Sequence, residues 1–124
     1  MRYSDAVHDH FDNPRNIGAI EHPDAAAEVS NPACGDIMHL TLRIVDARIT
    51  EAKFKTMGCP AAIAAGSVTT ELLIGRSVNE PIPLTRVEVN EALGGLSPQK
   101  VHTSVLAEDA VKAAVRDYHR RQGK

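Results

Sequence analysis

Ile37-Met38-His39-Leu40-Thr41-Leu42-Arg43-Ile44-Val45-Asp46-Ala47-Arg48-Ile49-Thr50-Glu51-Ala52-Lys53-Phe54-Lys55-Thr56-Met57 is the stretch whose pattern points to the fold. Met38, Leu40, Leu42 and Ile44 alternate with His39, Thr41 and Arg43. A period of two is the mark of a half-buried strand. From Ile49 to Met57 the alternation resumes, with Ala52, Phe54 and Thr56 on one face and Glu51, Lys53 and Lys55 on the other. Val45-Asp46-Ala47-Arg48 predicts a turn between them, so the two runs make a hairpin in a small antiparallel sheet.

Working outward from the hairpin, Cys59 follows Gly58 at the end of the second strand, and Pro60 suits the first turn of a helix. Residues Ala61 to Ile74 are rich in Ala, Gly and Ser, which lets this helix lie close on the sheet, and Gly75 stops it. Cys59 then sits at a strand-to-helix junction, near the positive end of the helix dipole. Ser77-Val78-Asn79-Glu80 fits a capping box, but Pro81 and Pro83 keep any helix there short. Thr85 to Leu93 predicts a further short helix with Thr85 and Glu88 as its box, ended by Gly94-Gly95. The last helix is long, from about Pro98 to Arg121, with His102 in its first turn. On the other side of the hairpin, residues 19–33 read as loop with a short strand near Glu28–Ser30. Ser4 caps a first helix on which Tyr3, Val7 and Phe11 share a face, and Asn13-Pro14-Arg15-Asn16-Ile17-Gly18 ends it. The fold class expected is α+β: one domain over residues 1–124, a small antiparallel sheet with helices packed on one face.

The chain has 124 residues, enough for one core without disulfide staples at 43% apolar content. Aromatic residues make up 3% and Trp is absent, so base-stacking surfaces for nucleic acid are not expected. The formal charge of −2 supplies no basic field for a polyanion. No run approaches the ~20 apolar residues of a membrane span. Met1-Arg2-Tyr3-Ser4-Asp5-Ala6 carries an early acid and no apolar core, which argues against a secretory leader. Two cysteines far apart in such a chain point to a reducing cytoplasm, where they serve as ligands, nucleophiles or packing residues rather than a disulfide.

Residues that end elements carry the chemistry. In Cys34-Gly35-Asp36 the glycine lets the backbone bend, so that a thiol and a carboxylate can face one small volume. The hairpin returns Cys59 to the same end, and packing of the last helix would bring His102. Two sulfurs, a nitrogen and an oxygen can hold Zn²⁺ tetrahedrally, or an iron–sulfur cluster in which His replaces Cys. A hard carboxylate oxygen is the odd ligand on soft iron–sulfide, and suits transient occupancy. Each residue also has a plain structural reading: Cys59 as a small buried hydrophobe, Asp36 as a turn residue, His102 as a surface histidine. His8, His10, His22, His39 and His119 carry no ligand role in this reading.

Tyr3-Ser4 with Asp9-His10 and Asn13-Pro14-Arg15-Asn16; Pro32-Ala33-Cys34-Gly35-Asp36; Phe54-Lys55-Thr56 with Gly58-Cys59; Ala61-Ala62-Ile63-Ala64; and Ser104 through Ala114, reading SVLAEDAVKAA, occur in that order. With these stretches the chain resembles, along nearly its whole length, the IscU/NifU N-terminal family of iron–sulfur cluster assembly scaffold proteins. The resemblance implies the α+β fold of IscU/SufE-like proteins and a scaffold or carrier rather than an enzyme. It implies Cys34, Asp36, Cys59 and His102 as ligands of a transient [2Fe–2S] cluster, Fe²⁺ or Zn²⁺. The implied partners are a cysteine desulfurase, an Hsp70-type chaperone with its co-chaperone, and recipient apo-proteins. The protein would be a monomer or a cluster-dependent homo-oligomer.

One residue and one segment depart from the family pattern. Its third cysteine, immediately after the histidine, is Thr103 here. A hydroxyl carries no sulfane sulfur and is a poor ligand for soft iron. The chaperone-recognition segment Leu-Pro-Pro-Val-Lys is here Leu96-Ser97-Pro98-Gln99-Lys100. The interval from Cys59 to His102 lacks the insertion of the zinc-dependent sulfurtransferase-type branch, which favours the IscU-like branch. Three readings follow. The first is a cluster scaffold. The second is a specialised member that binds zinc or the desulfurase without assembling clusters de novo. The third is a zinc hydrolase, which would need a general base that the sequence does not supply beside the metal.

Overall fold

A computed structural model describes residues 4–31, 35–79, 83–96 and 101–123. The elements run α1 (Asp5–Asp12), β1 (Ala25–Asn31), β2 (Asp36–Val45), β3 (Arg48–Met57), α2 (Pro60–Leu73), α3 (Arg86–Ala92) and α4 (His102–Arg121). The three strands form one antiparallel sheet in the order β1-β2-β3. The hairpin closes on the pair Val45↔Arg48, so Asp46 and Ala47 alone make the turn, with φ of 52° and 64°. Positive φ at both central residues is the type I′ signature, whose twist matches that of the strands. The register then slips by one: Arg43 pairs with Glu51 but Ile44 with Ile49, leaving Thr50 as a bulge. Strict alternation would put Ile49 on the charged face with Glu51 and Lys53; the bulge turns it into the core, where it is fully buried beside Ala52 and Phe54.

The predicted short strand at Glu28–Ser30 is in fact seven residues, Ala25–Asn31. Alanine has little strand preference of its own. The strand exists because β2 pairs along all of it, from Ala25↔Leu42 to Asn31↔Asp36. Its ends and edge are held by acids from elsewhere: Ala26 N–H donates to Asp117 of α4 at 2.9 Å, and Asp24 accepts from Ile44 N–H at 2.8 Å.

Helices α2 and α4 cover the face that carries Met38, Leu40, Leu42, Ile44 and Phe54, and this layer is the core. α1 packs on α2, and α3 on α4 and α2. Ser4 and Thr85 cap α1 and α3, accepting from Val7 N–H at 3.2 Å and Glu88 N–H at 3.3 Å. On α1 the buried residues are Val7 and His10, whereas Phe11, expected to share a face with Val7, is exposed; Tyr3 lies outside the described residues. Ser77 accepts from Asn79 N–H in a turn rather than starting a helix. α4 begins at His102, and residues 97–100 lie outside the described set.

The second face of the sheet is partly covered by the chain that links α1 to β1. Asn16 and Gly18 bond the outer edge of β3 through Phe54 N–H and C=O, both at 2.9 Å. Ile20 N–H donates to Thr41 Oγ1 at 3.0 Å, and Arg43 donates to the carbonyls of Glu21 and His22. Farther along β3, Gly75 and Arg76 bond to Ile49. The β3 edge is thereby blunted against strand addition.

Candidate metal centre

Asp36 is the first residue of β2, not a loop residue before it. It is in phase with Met38 and Leu40, so its side chain joins the helix-covered face, where Asp36 is only 4% exposed. β3 ends at Met57, paired with Ile37, and the chain turns through Gly58 into α2. Cys59 is the N-cap of α2 with Pro60 at the first helical position; its side chain makes no capping bond. It is half-buried rather than a sealed packing residue. His102 opens α4, which lies across β1 and β2, and its ring is likewise half-buried.

The three meet at one end of the sheet. Among the described residues, Asp36, Cys59 and His102 are the group whose donor atoms all lie within 4.8 Å of one another. His102 Nε2 is 3.3 Å from Asp36 Oδ2, and Cys59 Sγ is 3.9 Å from the same oxygen. Zinc bond lengths with a tetrahedral angle require a nitrogen–oxygen edge of about 3.3 Å and a sulfur–oxygen edge of about 3.5 Å. The first matches; the second closes with a few tenths of an ångström of movement. A carboxylate and a thiolate also balance the charge of a divalent cation, with neutral imidazole as the third donor. The residues therefore fit a metal ion.

Cys34, the remaining sequence candidate, lies outside the described residues. Thr103, beside His102, is fully buried. The histidines set aside in the sequence do not join the group. His10 Nδ1 is 2.8 Å from Ser67 Oγ in the α1–α2 contact, and His119 Nε2 is 3.0 Å from the Val78 carbonyl. His22 is exposed, and His39 lies on the sheet face away from α2 and α4.

The profile of one protein family, described as the NifU-like N terminal domain, matches residues 2–124. The chain belongs to that family. Among curated relatives, the iron–sulfur cluster assembly scaffold protein IscU 1 of Archaeoglobus fulgidus is 51% identical over 98% of this chain and 80% of its own length. The iron–sulfur cluster assembly scaffold protein IscU of Azotobacter vinelandii is 47% identical over 99% of this chain and 98% of its own. A solved NifU-like N-terminal protein from Brucella abortus superposes with a TM-score of 0.76 over 95% of this chain and 94% of that one, at 21% identity. At that identity the likeness concerns the fold, which among the described residues is the NifU-like arrangement of a three-stranded antiparallel sheet with four helices. The sequence signals of the site were the family motifs; that Asp36 belongs to the strand, and what lies behind its carboxylate, had no local signal.

Proposed function

We propose that this NifU-like domain is an iron–sulfur cluster assembly scaffold, which holds a [2Fe–2S] cluster as cargo and passes it to recipient apo-proteins. The observation that carries this reading is the convergence of Asp36, Cys59 and His102 in a chain whose relatives are named for that role. Cys59 supplies a thiolate for iron, His102 a neutral nitrogen, and Asp36 a hard oxygen that binds soft iron weakly and so favours release. Cys34 is the proposed fourth ligand. It stands two residues before Asp36 in the chain, and two residues span at most about 7 Å. Fe²⁺ and Zn²⁺ suit the same donors. A cysteine desulfurase is the proposed source of sulfur, and the cytoplasm the proposed setting. An Hsp70-type chaperone is proposed to act on the segment from Leu96 to Lys100. Among the described residues no helix is long and apolar enough to cross a membrane.

Anaerobic reconstitution with iron and sulfide, followed by visible absorption and Mössbauer spectra, tests the reading. The parent chain is expected to take up a [2Fe–2S] cluster and Cys34→Ala, Cys59→Ala and His102→Ala to lose it. Absence of cluster and of stoichiometric metal in the parent would sink the proposal. Thr103 favours one second reading, a member that binds metal or the desulfurase without de novo assembly. Normal ³⁵S transfer from a desulfurase onto Cys34 or Cys59 would count against it.

A further inference from the structure

Gly58 separates β3 from Cys59, and the backbone does not need a glycine there. Its φ lies outside the left-handed region, so an L side chain is permitted by conformation alone. Space is what excludes it. A Cβ at position 58 would lie 2.5 Å from Asp36 Oδ1, 2.8 Å from Asp36 Cγ and 3.2 Å from the Cβ of Ala62. The first two distances are shorter than non-bonded atoms allow. Asp36 has little freedom to give way, since β2 pairs it with Asn31 and it is 4% exposed. The two carboxylate oxygens therefore have different surroundings. Oδ1 rests against the bare Cα of Gly58, while Oδ2 faces His102 Nε2 at 3.3 Å and Cys59 Sγ at 3.9 Å.

We propose that Gly58 is a positioning residue of the metal site: the space it leaves seats Oδ1 and so aims Oδ2 as the oxygen donor beside Cys59 and His102. Other crowded glycines have different neighbours. Gly66 meets the Phe54 ring, and Gly94, whose φ of 78° itself favours glycine, meets Ser4, so neither borders a candidate ligand. At Gly58 the neighbour is a candidate ligand. The inference rests on reading Asp36 as a ligand, and its test separates the two.

The experiment uses Zn²⁺ as the probe, with affinity measured by chelator competition and unfolding followed on the metal-free protein. Four chains are compared: the parent, Gly58→Ala, Asp36→Ala and the double variant. Each single variant is expected to bind Zn²⁺ about 10–100-fold more weakly. The double variant is expected to bind no more weakly than Asp36→Ala alone, because the new methyl fills the place the carboxylate vacated. Co²⁺-loaded Gly58→Ala and Asp36→Ala should show the same change in the visible ligand-field bands. Parent-like affinity in Gly58→Ala, or losses that multiply in the double variant, would overturn the positioning role while leaving Asp36 a ligand. Unchanged affinity in Asp36→Ala would overturn both. Should Gly58→Ala not fold, recovery of folding in the double variant reports the same contact, and failure to recover overturns it.

Discussion

At the scale of single residues, Thr103 is the decisive departure. It is fully buried next to a candidate ligand, and threonine and cysteine differ little in volume. Thr103→Cys also trades a buried hydroxyl for a weaker S–H donor, and is expected to cost about 0.5–1.5 kcal/mol of stability. It is expected to increase ³⁵S transfer from a cysteine desulfurase severalfold if the start of α4 opens to expose the new thiolate, which accepts sulfane sulfur where a hydroxyl does not; a thiol that stays sealed is inert. Equal transfer to the parent and the variant would show that the missing thiol is not the bottleneck. That Thr103 differs from the family pattern was legible in the sequence. That it is sealed inside the α4 packing was not, since burial depends on what crosses α4.

At the scale of elements, two positions separate backbone from packing. Ala47 holds a φ of 64° in the turn between β2 and β3. A left-handed residue with a Cβ costs about 1–2 kcal/mol, and the extra chain entropy of glycine returns about 0.5–1 kcal/mol of that. Ala47→Gly is expected to stabilise the protein by about 0.5–1 kcal/mol, read as a higher urea midpoint with unchanged slope. Gly66 is the opposite case. It lies inside α2, where glycine costs about 1 kcal/mol relative to alanine. A Cβ there would come within 2.4 Å of the ring of Phe54, which is 1% exposed. Overpacking of this kind costs about 1–3 kcal/mol and outweighs the propensity gain. Gly66→Ala is expected to lower stability by about 1–2 kcal/mol in the same urea experiment. The helix at Gly66 follows from its Ala-rich neighbours, but the ring beneath it belongs to another element and leaves no local mark.

At the scale of the whole molecule, acid should loosen two long-range joints. His10 ties α1 to Ser67 of α2; burial and the nearby Arg15 lower its pKa below 6.5, against Glu71 and Asp9, which raise it. The unfolded chain then binds the proton more readily, so stability falls as pH drops from 6.5 toward the folded-state value. Asp117 joins α4 to the edge of β1. Burial would raise its carboxyl, but the Ala26 N–H, Arg120 and Arg121 outweigh this and hold it below 3.8. Its contribution is present above 3.8 and is lost as pH falls through the lower folded-state value. Thermal unfolding midpoints against pH are expected to fall in two stages. His10→Asn should remove the first and Asp117→Asn the second; a parent midpoint flat from pH 7 to pH 5 would contradict the first.

What the chain itself determined is local: the alternation that makes β2 and β3, the caps Ser4 and Thr85, the helix start at Pro60, and the placing of Cys59 and His102 at helix beginnings. Each depends on residues within one turn or one strand repeat, so the pattern is written in consecutive positions. The tertiary structure decided the rest. Pairing with β2 made a strand of Ala25–Asn31, and the bulge at Thr50 turned Ile49 inward. Packing of α4 brought His102 to Asp36 across 66 positions, and the bare Cα of Gly58 left that carboxylate its seat. Register, burial and spare volume arise only when separate elements share space, and the same residue types serve equally well in places where nothing meets them.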